Sequence, residues 1–421
     1  MKLILDCDAG VDDLVALLLA LKRQQEGEAE LLMVGTTFGN STCAAAERNV
    51  LCMLDCLNDL MTDNAKSASE LEVPVHRGAE DPLCRSSPAS SAVWRSRGWP
   101  GHGKDGLGGA LDQLVREFDF RYTAEERLQM QARASAAAAP PLAARAVADT
   151  AAPLLPDAGA TAGDGEVEIV LGSAGAALEA REESPCAEAE LPRVPFSERA
   201  GLKLVEALHA AAEPVTLVCI GPLTNFATAL ALDPGIVHLL ARVVVMGGSA
   251  AAKGNCSLAA EFNFHADPEA ARAVFEAFER EPAHGARLEL VSWDLTNEFG
   301  LSWTAVDRML AGQLSAQVAA LGCTWAGAAD VDESAEPSVC QRLLGAVLAR
   351  FCSMCAESMQ LAEERGTPDL SCVLCDTLAM LIALDPTVVE DSKDLNATVE
   401  MGDGLCSGQV VFDWYGKRKA R

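Results

Sequence analysis

The sequence predicts an α/β protein: an open, mainly parallel central sheet flanked by helices, in a single domain. Three observations carry this. Short β-branched and apolar runs of strand length alternate with helix-length segments, the pattern of parallel strands joined by crossover helices. Half of the 421 residues are hydrophobic, enough for a sizeable core. Polar motifs rich in carboxylate and glycine follow directly after several strands, where open parallel sheets place their binding sites.

The elements follow in order. Residues 3–5 start the first strand, Gly10 is read as permitting a tight turn, and residues 14–21 have helix length and composition. Residues 31–36 read as a strand, 42–60 as a helix and 73–75 as a short strand. Residues 84–109 form a polar, Gly-rich stretch ending in His102-Gly103-Lys104-Asp105-Gly106-Leu107-Gly108-Gly109, a loop of the functional or mobile kind. From about 120 to 195, Ala, Pro, Glu and Asp dominate. Such a segment buries too little apolar surface to offset its ordering entropy, so it is expected to be a largely disordered insertion with a weak strand-like run at 167–171. Residues 1–119 and 196–421 then make up the domain. The alternation resumes with a helix at 198–212, a strand at 215–220 and a helix opened by Gly221-Pro222-Leu223-Thr224-Asn225. A strand at 243–246, a helix at 268–279, a strand at 288–291, a helical region at 303–384 and a hairpin at 398–414 complete a Rossmann-like arrangement.

Charge narrows the function classes. A net charge of −28 argues against nucleic acid as a partner, because phosphate neutralisation needs Lys and Arg, and against anionic membranes. The sequence has no apolar run of the ~20 residues that spans a bilayer. A strand starting at residue 3 leaves no room for a targeting segment, so a cytoplasmic location is expected. Several of the 15 cysteines (Cys52, Cys56, Cys219, Cys352) lie in apolar stretches, where a thiol packs as a small hydrophobe in a reducing compartment. Cys352-x-x-Cys355 and Cys372-x-x-Cys375, 16 residues apart, match a zinc-ribbon spacing. The helical reading of 343–365 and 378–384 argues against zinc, since the template wants turns around each pair.

The chemistry concentrates at the start. Asp6, Asp8, Asp12 and Asp13 fall within eight residues, at a strand's C-terminal end and a helix's N-terminus. The helix dipole favours anions there. Crowded like charges still repel, so the cluster calls for a compensating cation. Asp6-x-Asp8 after a strand also suits the nucleophile and acid of an aspartyl-phosphate phosphatase of the haloacid dehalogenase type. Gly10, standing where that class expects Thr or Val, argues against it.

Seven motifs in order, plus Asp376, carry a resemblance to the inosine-uridine-preferring nucleoside hydrolases. They are Asp6-Cys7-Asp8-x-Gly10-x-Asp12-Asp13, Thr36-Thr37-Phe38-Gly39-Asn40, Val73-Pro74-Val75 with Arg77-Gly78, and the His102-Gly103 to Gly108 loop. Then come Gly221-Pro222-Leu223-Thr224-Asn225, Met246-Gly247-Gly248, and Glu261-Phe262-Asn263 leading into Asp267-Pro268-Glu269-Ala270-Ala271. The resemblance covers nearly the whole chain outside 120–195.

It implies a calcium-dependent ribonucleoside hydrolase that releases ribose and a free base and serves purine or pyrimidine salvage. The implied calcium ligands are Asp8, Asp13, Asp376 and the backbone carbonyl of Ile220, with Asn40 beside the ion. Oxygen donors of this kind suit calcium. A metal lowers the pKa of its bound water, and Asp8 is the implied general base. Asp12, Asn255, Glu261, Asn263 and Asp376 are the implied ribose contacts, with Met246 packed under the sugar. The loop from Met246 to Asn255 is one residue longer than in well-known relatives. Where relatives often carry His before the C-terminal Asp, this chain has Cys375. The acid for the leaving base therefore stays open between Cys375 and His102. His265 is read as structural. The family's usual homodimers or homotetramers imply a homo-oligomer. A non-catalytic nucleoside- or metal-binding homologue is the alternative, favoured by Cys375 and by the insertion beside the His102 loop.

Overall fold

The computed structural model describes residues 1–64, 72–84, 102, 105–107, 199–280, 286–320, 337–338, 341–349, 351–352, 372–402 and 404–417. Among these, β1 (Lys2–Cys7), β2 (Glu30–Thr36), β3 (Val75–Arg77), β4 (Val215–Cys219), β5 (Leu240–Met246) and β6 (Arg287–Val291) form one six-stranded sheet, ordered β3-β2-β1-β4-β5-β6. All of its pairings are parallel. This is a doubly wound order. The strand order reverses between β1 and β4, so the crevice outside their C-terminal ends is the expected binding place.

Helices cover both faces. They are α1 (Val11–Gln25), α2 (Cys43–Asn64), α3 (Ala200–Ala210), α4 (Thr224–Leu232), α5 (Phe262–Ala266) and α6 (Pro268–Arg280), followed by α7 (Trp293–Glu298), α8 (Trp303–Met309), α9 (Gln313–Ala320) and α10 (Cys375–Leu384). A parallel sheet buried on both faces needs strands without polar alternation. Every residue of β4 is buried accordingly. Leu204 and Leu208 of α3, Phe226 and Leu230 of α4, and Val274 and Phe275 of α6 pack with Leu217, Val243 and Val245 of the sheet. Truncating a fully buried aromatic such as Phe226 to Ala would cost about 3–5 kcal/mol. On the other face α1 buries Leu14, Leu17, Ala20 and Leu21 and packs along α10. β7 (Ala397–Val399) and β8 (Val410–Phe412) form the antiparallel pair predicted at the C-terminal end.

Two details differ from the sequence reading. The third strand is Val75–Arg77, not 73–75. Pro74 has no N–H to give to the ladder, and its carbonyl instead accepts from Val34 N at 2.9 Å just before pairing begins. Gly10 does not make the turn: its φ of −75° is open to any residue, and Ala9 takes the left-handed conformation at φ 50°. Gly10 is needed for proximity, because a Cβ there would lie 2.6 Å from the His102 ring and would collide with Asn40 Nδ2. The short helices α5 and α7 were not foreseen. The predicted insertion at 120–195 with its strand at 167–171, most of the 84–109 loop, and 353–365 of the predicted helix lie outside the described residues.

Candidate active site

Two helix N-termini and the end of β1 converge at the switch point. After Cys7 the chain turns through Ala9, and Gly10 caps α1. Asp13, in the first turn of α1, accepts hydrogen bonds from Gly10 N at 2.9 Å and Asp8 N at 3.2 Å. α10 opens with Cys375 and Asp376 and is tied to α1 by Thr377 Oγ1, which donates to Asp12 O at 3.2 Å. Acids in both first turns gain from the helix dipoles. Asp8 is gripped by Asn40, whose backbone N donates to Oδ2 at 2.7 Å and whose Nδ2 donates to Oδ1 at 3.0 Å. A Cβ on Gly39 would strike the Asp8 carboxylate, so a glycine is needed there for this close approach.

The carboxylates meet one another. Asp12, Asp13 and Asp376 bring one oxygen each within 4.8 Å of the others. Asp8 joins through a side-chain hydrogen bond to Asp13, which also bonds Asp376. Burial and like charges raise Asp8 and Asp376 well above the carboxylate range, and burial with the charge of Asp12 raises Asp13 to about 7. Among the described residues, the only basic side chain within ion-pair distance of the cluster is His102, with Nε2 4.0 Å from Asp12 Oδ1. Burial holds that imidazole below its usual pKa, so it brings no charge. Its Nδ1 accepts from Val11 N at 3.0 Å, which leaves the ring proton on Nε2. A largely buried group of oxygen donors with no cationic side chain against it among the described residues fits a hard divalent metal.

Across the crevice the chemistry is neutral or capped. Asn263 Nδ2 donates to Ile220 O and Met246 O, each at 3.2 Å, and reaches Met246 Sδ at 3.5 Å. The Ile220 carbonyl keeps a second lone pair for another partner. Glu261 caps α5 and accepts from Gly248 N at 2.8 Å, Asn263 N at 2.9 Å and Phe264 N at 3.4 Å. Burial nonetheless raises it to about 7. Cys375 stands between the two sides. Its thiol donates to Thr296 Oγ1 at 3.3 Å, and burial, followed by the charge of Asp12, pushes its pKa far up, with Glu261 adding to the rise.

The predicted set therefore gathers in one crevice, in two groups. Asp8, Asp12, Asp13, Asn40, His102 and Asp376 lie on the β1 side; Ile220, Met246, Glu261 and Asn263 lie on the β4–β5 side. The carboxylate trio that could hold a metal ion includes Asp12, which sequence reasoning gave to the sugar, while both oxygens of Asp8 are engaged by Asn40. Asn255 sits on the loop after β5, and its buried Oδ1 has no hydrogen-bond partner among the described residues. His265 Nδ1 lies 3.0 Å from Ser407 O, a contact compatible with the structural role read from the sequence.

Three supporting residues carried no assigned role in the sequence. Asn225 Nδ2 donates to Asp6 Oδ1 at 2.8 Å and to Thr36 O at 3.0 Å, and its Oδ1 accepts from Ala79 N at 2.8 Å. It thereby clamps β1, β2 and the turn after β3 together; its place in the Gly221–Asn225 motif was the available signal. Asp294 and Thr296 of α7 contact the loop after β5 and Cys375 respectively, with no motif to mark them.

Comparison with known proteins identifies the family and the fold. The family model described as inosine-uridine preferring nucleoside hydrolase matches residues 3–421. The non-specific ribonucleoside hydrolase RihC of Escherichia coli (strain SMS-3-5 / SECEC) is 28% identical over 298 residues, 71% of this chain and 63% of the relative. The match thus spans less than two thirds of that relative's length. Among solved structures, an inosine-guanosine nucleoside hydrolase superposes with a TM-score of 0.62 at 23% identity, over 99% of this chain and 88% of that one. A purine-preferring ribonucleoside hydrolase from Gardnerella vaginalis gives 0.55 at 21% identity, over 99% and 90%. These likenesses show the shared fold. Matched from the first strand to the last residue of the sequence, the chain belongs to the inosine-uridine preferring nucleoside hydrolase family.

Proposed function

We propose that this protein is a calcium-dependent ribonucleoside hydrolase that cleaves the N-glycosidic bond of purine or pyrimidine ribonucleosides to ribose and free base. The observation that carries the reading is the meeting of half-buried Asp12 with buried Asp13 and Asp376, and with Asp8 attached, at the switch point of the sheet. Asp8, Asp13, Asp376 and the Ile220 carbonyl would hold the cation, with Asp12 close enough to share it. When bound, the cation supplies positive charge that acidifies a water it holds and offsets the repulsion among the carboxylates.

The chain's own residues do the rest. Asp8, fixed by Asn40, takes the proton of the attacking water. Water oxygen bonds to C1′ as the C1′–N bond breaks, and the bonding pair leaves with the base. Asp12, Asn255, Glu261, Asn263 and Asp376 bind the ribose hydroxyls, and Met246 lies beneath the ring. Positive charge developing on the sugar faces pre-placed carboxylates in a crevice of low water content, where such stabilisation is strongest. Two groups can protonate the base: the Cys375 thiol, kept protonated by burial, and His102 through Nε2. Cys375→Ser separates them. If the thiol donates, turnover of natural nucleosides falls strongly while a nitrophenyl riboside, which needs no leaving-group proton, is spared. Equal losses on both substrates assign Cys375 a packing role.

A homo-oligomer and a cytoplasmic location belong to the same proposal. Among the described residues no helix is long and apolar enough to cross a membrane. The test of the function is ribose release from a nucleoside panel that includes inosine and uridine, with and without chelator. Ribose release that chelation abolishes supports the reading. Nucleoside binding without release would make the chain a binding homologue.

A further inference from the structure

We propose that Asp294 is a positioning residue for sugar binding: it latches the loop that presents Asn255. This rests on Asn255 being a ribose ligand, as in the function proposed above. Asp294 lies in the first turn of α7, whose N-terminus is capped by Ser292 Oγ accepting from Leu295 N. Its Oδ1 accepts from Ser249 Oγ at 3.2 Å. Its Oδ2 accepts from Ala250 N and, at 3.2 Å, from Ala251 N. Ser249 Oγ in turn accepts from Lys253 N at 2.8 Å, so a chain of hydrogen bonds runs from Asp294 to within two residues of Asn255. The same helix holds the root of the loop, where Trp293 N donates to Gly248 O at 2.9 Å.

The far end of the loop is anchored separately. Ser257 Oγ accepts from Ala260 N at 3.0 Å, and the next residue is the capping Glu261. Asn255 lies between these two anchors, with Gly254 N donating to Leu258 O at 3.3 Å and Cys256 N donating to Ala260 O at 3.4 Å on either side of it. Its buried Oδ1 lacks a hydrogen-bond partner among the described residues. A buried acceptor without a donor is unfavourable unless something supplies one. A sugar hydroxyl does, because it donates as well as accepts. Within the first anchor Ala252 adopts φ 54°, uncommon for a residue with a Cβ, so the path there is not set by local preference alone. A carboxylate accepting three donors at once is suited to impose it.

The test is a double-mutant cycle on Asp294→Ala and Asn255→Ala, with kcat and KM measured for inosine and uridine and Tm recorded for each variant. Asp294→Ala should lower kcat/KM by about tenfold or more, mostly through KM, since a misplaced sugar contact weakens binding first. Asp294→Asn, which keeps one acceptor oxygen, should recover part of that loss, and it replaces Asp294→Ala in the cycle if the alanine variant does not fold. With Asn255 already truncated, removing Asp294 should cost no more than about a further twofold, because the latch has nothing left to place. Losses that multiply, or wild-type kinetics in Asp294→Ala, overturn the proposal. If the wild-type chain turns over no nucleoside, the same cycle is read from inosine dissociation constants. Binding without turnover would then overturn the hydrolase reading alone, and absence of both overturns the two together.

Discussion

On the β1 side of the crevice, Asp8, Asp13 and Asp376 face one another. On the β5 side, Glu261 is as deeply buried but faces the backbone N–H groups of Gly248, Asn263 and Phe264. Burial raises Asp13 and Glu261 alike, each to about 7. The next influence differs in sign. For Asp13 it is the charge of Asp12, which raises the pKa further; for Glu261 it is donated hydrogen bonds, which lower it. The partners of Glu261 are thus supplied by the protein's own backbone, whereas the acid side, in the function proposed above, is balanced by a cation. Function and stability should therefore pull apart on one side of the crevice and run together on the other.

The largest effect expected is on chemistry. Asp8→Ala removes the proposed general base and cation ligand, and ribose release should fall by about a thousandfold or more. Near-normal turnover would break the account of the acid side. Asn263→Ala should lower kcat/KM about 10- to 100-fold, since it removes a proposed sugar contact together with the bonds that hold Ile220 O and Met246 O.

Stability sharpens the contrast. Glu261→Ala deletes the cap of α5 and should lower stability by about 1–2 kcal/mol, seen as a lower Tm with or without cation. Asp13→Asn should do the reverse in metal-stripped protein, raising Tm while abolishing activity, because it removes a charge from a repelling group. A lower Tm for metal-stripped Asp13→Asn would show that the acid side is not strained.

The pH dependence follows from the same shifts. Asp6 and Asp13 stand at about 7 against the ordinary 3.8, and Glu261 at about 7 against 4.5. Their folded-state pKa lies above the unfolded one, so the folded chain holds more protons between roughly pH 4 and 7. The stability this contributes is present at low pH and is lost as pH rises through about 7. Metal-stripped protein should therefore melt at a lower temperature at pH 8 than at pH 5, and Asp13→Asn should flatten that slope. An unchanged slope in the variant would assign the dependence to other groups.

Much of this was legible in the sequence because its carriers are local. The strand-then-motif order placed Asp8, Asp13, Ile220 and Met246 at the C-terminal ends of β1, β4 and β5, since strand length and turn residues fix where a strand stops. The reason for Gly10 was not legible: its neighbours Asn40 and His102 come from distant segments, and only the folded chain brings them against it. Asp294 was hidden for the same cause. Nothing in Trp293-Asp294-Leu295-Thr296 signals that a carboxylate there will meet a loop more than 40 residues earlier. The partners of Cys375 likewise needed the fold, because Thr296 and Glu261 reach it only across the crevice.

The smallest effect expected concerns the segment at 120–195. Its Ala-, Pro- and acid-rich composition interrupts an otherwise continuous α/β pattern, and we propose that it is dispensable for folding. Replacing it with a short Gly/Ser linker should leave Tm within about 2 °C of the parent, the shift that a loss of roughly 1 kcal/mol produces in a domain of this size. Aggregation of the linker variant would show that the segment packs against the core.

The claim at the centre is that the acid side is completed by a divalent cation. Its most direct test is calcium titration of metal-stripped wild type and Asp13→Asn, followed by thermal unfolding. Tm of the wild type should climb with calcium, by the linkage expected of a ligand that binds only the folded state. Asp13→Asn should start higher and respond little. A wild-type Tm that ignores calcium, or an Asp13→Asn variant that responds as the wild type does, would contradict it.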